Sequence, residues 1–257
     1  IGTTVGGLFG RLVVSAITDF VSWRMGLIVI GILYLAVGIA FFMLLPKPKY
    51  QRQRQSGGLQ LIKTFHTALA NKKLLWIYLV AFLIMGSFVA VFNFISYVLL
   101  APPYSLSQTV VGLLFVVYLF GTFSSTYMGR LSDQHGNGRV LILGLLIMLT
   151  GGLLTLLQPL VFKFIGLAIF TFGMLGSHSV ACGWVGKLNQ GDKAQSSSMY
   201  MFFYYAGASS LGTLGGVFLE SYGWSGVIGM VAAAVIICLL VVVRLELAVS
   251  QHLLWHH

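Results

Sequence analysis

Eight runs of apolar residues, each at least 18 long, occupy positions 1–18, 25–45, 74–100, 108–129, 140–157, 160–185, 199–219 and 226–245. A helix needs about 20 such residues to cross the hydrocarbon core of a bilayer. No water is present there to satisfy exposed backbone groups, so only helices or closed barrels can span it. The runs do not alternate with the period of two that barrel strands show. They predict eight helices of an all-α integral membrane protein. Composition agrees, since 58% hydrophobic against 8% charged residues leaves too little polar surface for a water-soluble globule of 257 residues. The 31 glycines fit the same reading, because small residues let helices approach closely where lipid removes the hydrophobic drive between them.

The connections are short except for 46–73, which opens with Pro46 and Pro48 and carries Lys47, Lys49, Arg52, Arg54, Lys63, Lys72 and Lys73. It divides the chain into a segment of two helices, 1–45, and one of six, 74–257. Within it Leu59, Ile62, Phe65, Ala68 and Leu69 recur at helical spacing, which suits either a helix on the membrane surface or a disordered linker. The net charge of +10 lies mainly in the connections, so it reads as topology and not as a nucleic-acid face. With 46–73 in the cytoplasm, 12 of the 15 Lys and Arg residues fall on that side, including Arg130, Arg139, Lys187, Lys193 and Arg244. Arg24 and Lys163 fall outside, and Arg11 lies within the first run. The bias predicts both chain ends in the cytoplasm.

The first and last short connections share a pattern. Asp19 and Trp23 follow a Gly-rich helix, as do Glu220 and Trp224. Spans one and two are thus expected to be counterparts of spans seven and eight in a duplicated unit; if each half has six helices, four further helices are expected before Ile1 and twelve in all.

The sharpest motif is the stretch from Gly129 to Arg139, Gly-Arg-Leu-Ser-Asp-Gln-His-Gly-Asn-Gly-Arg, between spans four and five. It resembles the signature loop of the major facilitator superfamily, matching at Gly129, Leu131, Asp133 and Gly136. It departs at Gln134, where that family often has Arg, and at Asn137-Gly138, where basic residues are usual. The physics of such a loop is independent of the resemblance: Asp133 at a helix end can accept from a neighbouring helix N-terminus and pair with a nearby Arg. Gly129, Arg130, Asp133, Gly136 and Arg139 are therefore expected to form a conformational-switch loop; the alternative is an ordinary polar turn. The first run, with Gly2, Gly6, Gly7 and Gly10, resembles the Gly-rich fifth helix of drug and organic-solute antiporters in the same superfamily, without that helix's Pro.

Candidate cavity residues are Arg11, Asn93, Tyr97, His178, Tyr204 and Ser209. A charge inside a span is held by a partner, a cavity or a substrate anion, and Arg11 is close enough to its helix start to snorkel instead. Gly86, Asn93 and Tyr97 stack on one helical face, either lining a cavity or bonding an adjacent helix. His178 can relay a proton or bind substrate, or stand neutral against a neighbour. Tyr204 and Tyr205 offer aromatic surface, with core packing expected for at least one. Cys182 and Cys238 sit in apolar runs and read as structural thiols. No pattern for a metal, a phosphate loop or another cofactor is present.

The resemblance implies a major-facilitator-type bundle with a midplane cavity opened alternately to each side. The expected function is secondary active transport of a small organic solute, by proton-coupled efflux, from a bacterial inner membrane and as a monomer at full length. Uptake of a sugar or metabolite by the same fold is the alternative. An intramembrane enzyme using His178, or a purely structural membrane fragment, are the readings from other classes, and the chain is expected not to be an enzyme.

Overall fold

The computed structural model describes Gly10, Ile17 and residues 23–44, 71–188 and 193–254. All regular structure among them is helical: α1 (Trp23–Leu44), α2 (Lys72–Leu100), α3 (Gln108–Leu113), a 3-10 turn (Leu114–Val117), α4 (Tyr118–His135), α5 (Asn137–Leu154), α6 (Leu160–Leu188) and α7 (Lys193–Leu254). Five of these are long and apolar enough to cross a membrane: α1, α2, α5, α6 and α7.

The difference from eight runs has three sources. The first run lies outside the described residues apart from Gly10 and Ile17. The run 108–129 is realised as α3, the 3-10 turn and α4, and α4 is too polar to count, ending in Arg130, Asp133 and His135. The last two runs are joined in α7, whose 62 residues include Gly223 at φ 63° and ψ −157°. An unbroken helix of that length would reach about 90 Å, three times the hydrocarbon thickness. Gly223 instead reverses the chain, in a conformation that side chains with a Cβ disfavour.

Both arms of α7 lie on α2. In the first arm, a Cβ on Gly207 would collide with the Phe82 carbonyl, and Gly212 and Gly215 lie against Val89 and Phe94; the two helices run parallel. In the second arm, the Cys238 thiol rests 4.0 Å from the Val80 carbonyl, and Arg244 shares a groove with Lys72 and Lys73. This arm therefore returns antiparallel. Asn71 starts α2 by accepting from the backbone of Lys73 at 3.1 Å and Leu74 at 3.4 Å, which satisfies two of the free N–H groups of its first turn.

A glycine seam joins α5 to α6. Gly173 abuts Met148 and Gly144 backbone, and Gly151 abuts Phe170 and Gly166 backbone. Gly144 and Gly151 are seven residues apart, as are Gly166 and Gly173, so the antiparallel helices meet on matching bare stripes two turns long. Serines tie α4 to α6: Ser124 donates to the Phe172 carbonyl at 2.5 Å, Ser125 to Leu175 at 3.2 Å, and Ser179 to Ser125 at 3.0 Å. Phe88 of α2 stacks on Phe170 of α6 at 6.2 Å, while Phe92 meets Tyr118 edge-on at 5.1 Å.

The two ends of this bundle differ. One gathers Lys72, Lys73 and Arg244 around a groove and, through Glu246 lying against Gly138, adjoins the α4–α5 turn with Arg130 and Arg139. The other holds Tyr104, whose hydroxyl donates to the Gln158 carbonyl, and Trp224, whose indole N–H donates to the Thr155 carbonyl at 3.1 Å. Lys163, expected on the outer side, is buried at this end and donates to the same carbonyl at 2.5 Å. Among the described residues, none of the helices α2 to α7 packs on α1. Gly10 does, with the Tyr34 hydroxyl 2.8 Å from where its Cβ would stand.

The seam predicts a contrast within one helix. Gly173→Val forces α5 and α6 apart and lowers stability by about 1–3 kcal/mol, whereas Gly183→Ala, with nothing within 4 Å of its Cβ position, does not lower it and raises it by up to about 1 kcal/mol. Unfolding by denaturing detergent, followed by helicity, measures both.

Candidate functional site

The expected switch loop occupies the end of α4 and the start of α5. Gly136 separates the two helices at φ 91°, a left-handed conformation that only glycine adopts freely, and this accounts for its place in the motif. Gly129 faces α6, with the Ser179 hydroxyl 3.6 Å from its Cβ position. Asp133, expected to pair with a nearby Arg, meets instead Lys187 from the last turn of α6, at 3.2 Å. The same ammonium donates to the Asn137 side chain at 3.1 Å. One lysine thus joins the ends of α4, α5 and α6. Arg130 and Arg139 are exposed and remain available to surfaces beyond this bundle.

The candidate cavity residues separate into two groups. His178 on α6 and Tyr204 on the first arm of α7 come together, ring centres 4.5 Å apart. Tyr200, which the sequence did not single out, completes the cluster: its hydroxyl is 3.0 Å from His178 Nδ1, and its ring stacks on Tyr204 at 6.3 Å. Tyr200 is fully buried and Tyr204 nearly so, while His178 keeps partial access. A phenol hydroxyl can donate to or accept from imidazole, so the pair can accommodate either ring tautomer. Tyr205, next along the helix, turns outward and is 58% exposed.

Asn93, Tyr97 and Ser209 form the other group, all exposed although they lie within long apolar helices. Tyr97 is 65% exposed and leans on Phe94 at 6.3 Å. Thr213 donates to the Ser209 carbonyl at 2.7 Å. Polar side chains at membrane depth face protein or water in preference to lipid. Arg11 lies outside the described residues. Cys182 and Cys238 are free, Cys238 fully buried.

An all-helical, membrane-crossing bundle with a basic end, a Gly-Asp-Gly turn where three helices meet, and exposed polar groups on otherwise largely apolar helices fits an integral membrane protein of the transporter type. The sequence profile of the Major Facilitator Superfamily matches residues 1–102 and 85–252, and the chain belongs to that family. It is 40% identical over 240 residues to the uncharacterized MFS-type transporter YybF of Bacillus subtilis, covering 93% of this chain and 59% of that protein. It is 41% identical over 245 residues to the inner membrane transport protein YnfM of Escherichia coli, covering 95% and 59%. An uncharacterized transporter of Buchnera aphidicola is 35% identical over 245 residues, covering 95% and 59%. The chain thus spans about three-fifths of the length of these relatives. Their names are those of transporters, in line with the expectation that the chain is not an enzyme.

Two consequences can be measured. The Asp133–Lys187 pair is 74% and 54% exposed, so Asp133→Asn changes stability by less than about 1 kcal/mol. Tyr200→Phe, which strips His178 Nδ1 of its partner in a largely buried site, lowers stability by about 1–2 kcal/mol. Denaturant titration of the purified protein reads both.

Proposed function

We propose that this chain forms the C-terminal part of a secondary active transporter that moves a small organic solute by alternating access, with proton-coupled efflux as its mode. In this reading residues 1–45 supply the last two helices of one six-helix half, 46–73 connect the halves on the cytoplasmic side, and 74–257 form the second half of a twelve-helix protein. The packing of α2 to α7 as one body, without α1, supports that division. The gathering of cations at one end supports its cytoplasmic placement in a bacterial inner membrane, by the rule that basic loops stay inside.

The observation that carries the reading is the exposure of Asn93 and Ser209 within largely apolar spans, with Tyr97 exposed in the last turn of α2. Lipid gives such groups no hydrogen-bond partner, whereas a water-filled cavity between two halves does. Solute would then meet amide, phenol and hydroxyl groups on α2 and α7, with the hydrogen-bonded pair of His178 and Tyr200 behind them. A weakly charged, aromatic wall suits an amphipathic solute. Asp133 and Lys187 would hold the cytoplasmic ends together in one conformation and part in the other.

Transport by the full-length protein in proteoliposomes with an imposed pH gradient tests this, using labelled amphipathic organic solutes and a trapped pH dye. We expect solute movement opposite to proton movement. Asn93→Ala raises KM by about fivefold to tenfold, the loss of one hydrogen bond to solute. Asp133→Asn lowers kcat with KM unchanged, because it acts on the conformational step. Cotransport of a sugar or metabolite with protons would favour uptake instead, and an absence of solute movement under any gradient would refute the proposal.

A further inference from the structure

The basic end of the bundle carries a groove of about 580 Å³ between the first turns of α2 and the last turns of α7. Its walls are apolar, from Trp76, Ile237, Leu240 and Val241, and its rim carries Lys72, Lys73 and Arg244. Leu240 is 62% and Trp76 46% exposed, so the groove opens sideways, away from the bundle core. Among the described residues no carboxylate bonds to any of the three cations. Glu246, the nearest acid in sequence, turns away from the groove and lies against Gly138 of α5.

Ile237 and Arg244 are seven residues apart on one helix, which sets the apolar floor about 10 Å deeper than the charged rim. Trp76 stands one turn below Lys72, the depth at which indole rings gather at a membrane interface. Three cations at the aqueous level over an apolar trench match one molecule in two parts: a phosphate headgroup at the rim and an acyl chain below it. We propose that this groove binds an anionic phospholipid from the leaflet that the basic end faces.

Charge argues against the other occupants. The chain's own connection over 46–70 carries Lys47, Lys49, Arg52, Arg54 and Lys63 and no acid, so laying it across three further cations brings like charges together. The C-terminal stretch from Ser250 to His257 has no acid either. A second copy would present the same cations. A soluble phosphate would use the rim and leave the trench in contact with nothing that needs it, and a zwitterionic lipid gains little from a net charge of three. The site is separate from the candidate cavity residues and does not depend on which solute is carried.

Quenching of Trp76 by brominated lipids tests the site. The full-length protein is placed in phosphatidylcholine bilayers with rising fractions of phosphatidylglycerol, bromine being carried on the acyl chains of one lipid or the other. The difference from a Trp76→Phe variant isolates the groove. We expect phosphatidylglycerol to displace phosphatidylcholine there with a relative binding constant of about five or more. It should fall to near unity when Lys72, Lys73 and Arg244 are all changed to Gln. The single Arg244→Gln should lie between, which keeps the test readable if the triple variant does not fold. Exchanging the cations for one another, Lys72→Arg, Lys73→Arg and Arg244→Lys, should retain the preference. A relative constant near unity in the unaltered protein overturns the proposal. So does a preference that survives neutralisation, or a Trp76 that neither lipid quenches because protein fills the groove.

Discussion

Helices in hydrocarbon gain no hydrophobic advantage from touching one another, because lipid tails are as apolar as leucine. What holds this bundle together must come from close packing of backbones and side chains and from hydrogen bonds made away from water. The facing stripes of Gly144 and Gly151 against Gly166 and Gly173 provide the first, and Gly207 on Phe82 repeats it between α7 and α2. Ser124, Ser125 and Ser179 provide the second between α4 and α6. The glycine content that would weaken a water-soluble helical protein is here the means of assembly, and it is concentrated at the seams.

That mode of assembly leaves polar side chains free to mark function. Several serine and threonine hydroxyls inside the bundle are spent on neighbouring carbonyls, as with Thr155 at the end of α5, which donates to Gly152 at 2.6 Å while its own carbonyl accepts from Lys163 and Trp224. The exposed polar groups on these helices then require an explanation outside the bundle, and the proposed cavity against a second half would supply one. The Asp133–Lys187–Asn137 contact fits the same economy. It is exposed and energetically slight, and under the proposed function it would be made in one conformation and broken in the other, which a rigid buried bridge could not offer.

Much of this was legible in the sequence because hydrocarbon is an unforgiving solvent. The runs at 74–100 and 160–185 became Lys72–Leu100 and Leu160–Leu188, since ends of spans are fixed by charge and by capping residues such as Asn71. Gly136 could be read as a turn from its motif. The run at 108–129 could not be read as α3, a 3-10 turn and α4, because no Pro or charge interrupts it. Nor could the choice between Tyr204 and Tyr205, which is settled by rotation of α7 about its axis against α6. The partners of Asp133 and His178 stand 54 and 22 residues away, and no local spacing encodes contacts of that range. Lys187 reads from the sequence only as a topological charge, and nothing in the residues around Tyr200 marks it out.

The claim on which the functional reading rests is that the open polar groups face water and not lipid. It is tested most directly by replacing Cys182 and Cys238 with Ser in the full-length protein and introducing Asn93→Cys, Tyr97→Cys or Ser209→Cys one at a time. Ile236→Cys, on the exposed apolar side of α7, serves as the lipid-facing control. The account predicts that a membrane-impermeant, charged thiol reagent labels positions 93, 97 and 209 and leaves 236 unlabelled. Labelling no faster at the three polar positions than at 236 would contradict it.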